Sequence, residues 1–190
     1  MAARARIHAT LVIAAALAAT VASAEDRRLN IINEGTAPGT WQPVAETMAV
    51  PAYPGVVADK SEDVCVSIGY MIDDEGSTSD FAVLDAWGSQ AEGLKPIDDH
   101  FLPYSQNALA AVQRWRYQSD GGTRAHRRRV YTAATFAFST TGADVEALKA
   151  RCRIADLKGF INKMRTEALK RNIDRGRSEV SAPLAPPKNN

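Results

Sequence analysis

The chain has 190 residues, is 45% hydrophobic and 24% charged, and carries 23 basic against 22 acidic residues. That balance excludes a disordered polyelectrolyte, and the length allows one domain plus an extension. The charge is unevenly placed: Glu25 to Thr123 holds 6 basic and 16 acidic residues, and Arg124 to Asn190 holds 15 basic and 6 acidic. Pairing of the two halves within the molecule explains this more simply than an anionic partner does, and no nucleic acid partner is expected of an exported chain.

The first residues, MAARARIHATLVIAAALAATVASAED, combine Arg4 and Arg6, an apolar run from Leu11 to Ala22, and Ala22-Ser23-Ala24. This three-part pattern predicts a cleaved signal peptide over residues 1–24 and a mature protein in the periplasm. A membrane span needs about 20 apolar residues. An inner-membrane anchor is the alternative if cleavage fails. In an oxidising compartment the two cysteines, Cys65 and Cys152, suggest a disulfide.

Residues 25–43 read as an extended lead-in with a short strand near Leu29–Ile32. Pro51–Gly55, PAYPG, reads as a rigid turn. VCVSIGYMID then alternates: Val64, Val66, Ile68, Tyr70 and Ile72 on one face, Cys65, Ser67, Gly69 and Met71 on the other. Asp73 to Gly76 reads as a hairpin turn, with a second strand at Thr78 to Leu84. A long loop, Trp87 to Pro103, leads to a helix at Ser105 to Trp115, whose stripe is Ala108, Leu109, Val112 and Trp115. After QSDGGT, a third strand at Val130 to Phe138 alternates again. Thr141 and Asp144 resemble a helix start. Asp144 to Arg171 reads as a helix bent at Gly159, within an extension over 141–173. A Pro-rich tail over 174–190 is expected to be disordered.

These elements predict an α+β fold: a three-stranded antiparallel sheet in β-β-α-β order with one packed helix, plus a C-terminal helix. That C-terminal helix is expected on the small-residue face of the first strand, with Cys65 bonded to Cys152. Asp98, Asp99 and His100 imitate an acid–base or metal cluster. They stand in one loop without a nucleophile motif or a phosphate cradle. No catalytic residue, metal or cofactor is therefore expected, and a hydrolytic enzyme is a remote alternative.

Four motifs carry a family resemblance: PAYP (Pro51–Pro54), VSIGYMIDDEG (Val66–Gly76), ALAAVQRWRY (Ala108–Tyr117) and YTAATFAFS (Tyr131–Ser139). In this order and spacing the chain resembles the C-terminal domain of TonB-type energy transducers over about residues 44–140. It departs from them in lacking a Pro-rich spacer and in carrying the extension after Thr141. The resemblance implies a periplasmic protein-interaction module in or near TonB-dependent outer-membrane transport. It implies binding of an outer-membrane transporter peptide, or another periplasmic protein, by strand addition to the last strand. That edge is Val130, Tyr131, Thr132, Ala133, Thr135 and Ala137, and Arg127, Arg128 and Arg129 would steer an acidic partner. Edge strands exchanged between copies are a route to a homodimer. A non-transducing envelope binding or scaffold protein is the alternative function.

Overall fold

Three long apolar alternations build the centre of the molecule, and the rest is arranged around them. The computed structural model describes residues 30–35, 41–119 and 128–180, with the side chains of 172–180 excepted. The signal-peptide reading of 1–24 and most of the tail reading lie outside the described residues. The strands are β1 (Asn30–Ile31), β2 (Trp41–Pro43), β3 (Val64–Ile72), β4 (Thr78–Gly88), β5 (Tyr117–Ser119) and β6 (Val130–Phe138). The helices are α1 (Leu102–Val112), α2 (Val145–Cys152) and α3 (Leu157–Val180).

β3 is the central strand because both its faces are apolar or small. It pairs antiparallel with β4 on one side and with β6 on the other. The α+β class holds, but the sheet has four strands in the order β1-β6-β3-β4, not three. The added strand is β1, which lies parallel to β6 with Asn30 opposite Val130 and Ile31 opposite Tyr131. Two residues are too few to display a period, so the sequence suggests a strand there without revealing its partner. A separate ladder joins β2 to β5. β4 runs on past Leu84 to Gly88 because Ala86 and Trp87 continue to pair with Val66 and Cys65.

The hairpin between β3 and β4 depends on Gly76, whose φ of +87° is costly for any residue with a Cβ. Asp73 Oδ1 accepts from the Glu75 and Ser77 amides at 3.0 and 2.9 Å, which fixes the turn.

The first face of β3 buries Val64, Val66, Ile68, Tyr70 and Ile72 in the main core with Phe101, Tyr104, Ala108 and Val112 of the α1 region. Ala108 and Ala111 are buried on α1, and their small side chains allow a close approach to the sheet. The helix spans Leu102–Val112 rather than Ser105–Trp115. Pro103 fits its first turn, where its missing N–H loses no helical hydrogen bond. Thr78 Oγ1 donates to the Val112 carbonyl at 2.8 Å at the other end. Trp115 therefore follows the helix. It is buried, donates Nε1–H to the Ala49 carbonyl at 2.9 Å, and meets Tyr70 edge-on at 5.8 Å.

The second face of β3 is covered by α2. Cys65 and Cys152 form a disulfide with Cα atoms 5.9 Å apart. Leu148, Trp87 and Ala137 pack around it. Arg151 stacks over the Trp87 ring at 4.2 Å. Asp144 is the cap of α2, accepting from Glu146 and Ala147. Thr141 instead donates to Asp63 at 2.8 Å. The helical extension breaks at residues 153–156 and not at Gly159, because Asp156 Oδ1 accepts from the Gly159 amide at 2.9 Å and starts a new helix. That helix is described as far as Val180, beyond the expected boundary at 173.

Candidate functional site

The β6 edge is built by a simple alternation. In an antiparallel pair, every second residue turns its N–H and C=O away from the neighbouring strand. Opposite β3, the outward set of β6 is Tyr131, Ala133, Thr135 and Ala137. Two contacts fix this parity: Ile32 donates its amide to the Tyr131 carbonyl at 3.0 Å, and the Thr135 amide donates to Glu34 Oε1 at 2.7 Å. Val130, Thr132, Ala134 and Phe138 are buried on the α1 side. Of the edge residues expected from the sequence, Tyr131, Ala133, Thr135 and Ala137 thus present backbone to a further strand, whereas Val130 and Thr132 pair inward.

The first half of this edge is already occupied. β1 covers Val130 and Tyr131, after which the backbone leaves the sheet and a side chain takes over. Glu34 accepts from the Thr135 amide and, at 2.6 Å, from Thr135 Oγ1. Arg153 Nε lies 3.7 Å from the same carboxylate. Asn33 Oδ1 accepts from the Leu157 amide at 3.0 Å. The N-terminal segment is thus held between β6 and the α2–α3 corner, and the disulfide ties that corner to β3. Arg153–Glu34 is, among the described residues, the ion pair that joins the acidic and basic halves.

Tyr131 lies on the outer face, where burial first and the Asp80 carboxylate second raise its phenol above the ordinary value. Arg128 and Arg129 are exposed at the start of β6. The Arg128 carbonyl accepts from Trp41 Nε1 at 3.1 Å. Arg127 lies outside the described residues.

His100 does not form a cluster with Asp98 and Asp99. Its Nε2 lies 2.8 Å from Oε1 of Glu62, a carboxylate with no exposed surface. Tyr104 OH and the Gln90 amide also reach Glu62, at 3.5 and 3.3 Å. Gly88 packs so closely that a Cβ there would meet Glu62 Oε1 at 2.6 Å. Asp98 accepts from the Lys95 amide and shapes a turn. Among the described residues no three His, Cys, Asp or Glu side chains come together as metal ligands.

Glu34, Arg153 and Glu62 escaped the sequence reading. Glu34 sits in a polar NEGT loop and its partner Thr135 is 101 residues away, so no local pattern marks it. The one signal available was the apolar run just before it, at Leu29–Ile32.

Among solved structures, the chain is similar to the TonB C-terminal domain of Pseudomonas aeruginosa determined by solution NMR. The identity is 16%, over 57% of this chain and 95% of that one, with a TM-score of 0.41. No family model matches the chain, and no curated protein does.

Proposed function

We propose that this chain is a TonB C-terminal-like interaction module of the periplasm, acting in or near TonB-dependent outer-membrane transport. It binds an extended partner peptide by strand addition at β6 and catalyses nothing. The observation that carries the reading is the β6 edge itself, which already pairs with an extended segment in parallel register. Its outward N–H and C=O groups supply affinity to a strand whatever the side chains of that strand. Support also comes from where the four motifs fall. Tyr53 of PAYP bonds Tyr104 of α1 at 3.2 Å, VSIGYMIDDEG runs from β3 into its hairpin turn, Trp115 anchors the turn after α1, and YTAATFAFS covers β6 from Tyr131 onward. The partner in this reading is the N-terminal segment of an outer-membrane transporter, and no cofactor or metal takes part.

A photo-crosslinking residue at Thr140, exposed just past the end of β6, tests it in the full chain. An adduct with the N-terminal segment of a TonB-dependent transporter is the expected result. Normal siderophore and cobalamin uptake in a deletion strain overturns the coupling, and an adduct with another envelope protein would point to a scaffold instead.

A further inference from the structure

The β6 edge and the chain's own residues 30–34 define what kind of strand this surface takes. We propose that Asn30–Glu34 is an exchangeable occupant of the edge, and that it gives way to an extended acidic peptide lying parallel to β6 with a carboxylate in the place of Glu34. This rests on the reading of β6 as a docking edge and adds direction, register and chemistry to it.

Three observations carry the inference. First, the internal strand is short. It pairs over two residues, extended by the Ile32 amide on the Tyr131 carbonyl at 3.0 Å. The rest of its hold comes from the side chains of Ile32, Asn33 and Glu34, so a strand that keeps those groups and adds backbone bonds along β6 replaces it. Gly35, with φ of +74°, follows immediately, and β1 does not reach the far end of the edge at Ala137. A longer peptide continues along it.

Second, the edge contains a seat for a carboxylate. The Thr135 amide at 2.7 Å, Thr135 Oγ1 at 2.6 Å and Arg153 Nε at 3.7 Å converge on Glu34 from two different elements. Thr135 is buried, so its amide and hydroxyl face little competition from water, while Arg153 is more open to solvent. Hydrogen bonds to an ionised acceptor are the strong ones. A seat of this kind reads a charge at one position of an otherwise unspecific strand. Ile32, two residues before the carboxylate, packs against the main core. The implied pattern is an apolar residue, a residue such as Asn33 that can accept from the Leu157 amide, then an acid.

Third, the surroundings are basic where the strand enters. Arg128 and Arg129 are exposed at the start of β6 and are in no ion pair among the described residues. They favour approach of an acidic segment.

The test uses the full chain and a fluorescent synthetic peptide with the sequence of residues 29–36, LNIINEGT, in which Glu34 is the one charged side chain. In the protein, Ile32→Pro removes the amide that bonds Tyr131, and Glu34→Gln weakens the seat's own occupant. Each change in the protein should tighten peptide binding about tenfold, and the peptide's own Glu34→Gln form should bind about tenfold more weakly. Hydrogen exchange gives an independent reading. The Thr135 amide should lose protection in the Ile32→Pro protein and regain it when peptide saturates. Should Ile32→Pro impair folding, the Glu34→Gln protein carries the test alone. Unchanged peptide affinity in the protein variants overturns the proposal. If this peptide exchanges in as expected and transporter N-terminal peptides do not bind, the inference stands and the transport function fails.

Discussion

Glu62 is sealed from solvent and held by His100 at 2.8 Å, beneath the loop that feeds α1. Removing one partner of such a pair leaves the other buried without its counterpart, which costs more than the pair contributes. His100 keeps 22% of its side-chain surface exposed, so water can partly replace it. His100→Ala is expected to lower stability by about 1–3 kcal/mol. Glu62→Ala, which also empties a fully packed position, should lower it further. Urea unfolding of both variants and of the double variant measures the coupling, and additive effects would mean that the pair does not act as one unit.

The disulfide closes a separation of 87 residues. Chain entropy assigns such a crosslink about 4–5 kcal/mol. Cys65→Ser with Cys152→Ser should move the urea midpoint down strongly and loosen the α2–α3 corner. Peptide mapping without reductant is the direct check, and free thiols at both positions would contradict the bond.

Alkaline pH is expected to destabilise the fold. Tyr70 and Tyr104 are held far above the ordinary value of 10.0, mainly by burial and then by their neighbours Tyr117 and Tyr53. Both keep their protons in the folded chain after the unfolded chain has lost them. Their contribution is therefore complete below pH 10 and declines as the pH rises above it, by about 1.4 kcal/mol per unit for each tyrosine. The part of the phenolate absorbance at 295 nm that Tyr70→Phe removes should rise together with unfolding rather than before it, and the same change should reduce the slope.

Ser67 is buried on the central strand, and its hydroxyl has no hydrogen-bond partner among the described residues. Ser67→Ala removes a desolvated polar group for little loss of volume. Thermal unfolding should show a change between zero and about +1 kcal/mol, and a loss of 2 kcal/mol would reveal a hidden partner.

Much of this architecture was legible residue by residue. The alternation of Val64 to Ile72 gave both the central strand and its two faces, and placing Cys65 on the small face anticipated its bond to Cys152. Trp115 read as a core residue and is one. What escaped were contacts made by single side chains across long separations. Glu34 and Thr135 meet over 101 residues and Glu62 and His100 over 38, and neither pair has a period or motif to announce it. β1 was visible as a short apolar run, but two residues carry no information about which edge they will join. The helix break was misplaced at Gly159 because a glycine suggests flexibility, whereas the decisive residue was the capping Asp156.

The strap formed by residues 30–34 also imposes an order in time. Residues 30–34 reach Tyr131, Thr135, Arg153 and Leu157, and the Asn33–Leu157 contact spans 124 residues. Contacts over so long a separation carry a large loop-closure cost, so this strap is expected to dock late in folding. Until it docks, the outer edge of β6 lacks its parallel neighbour.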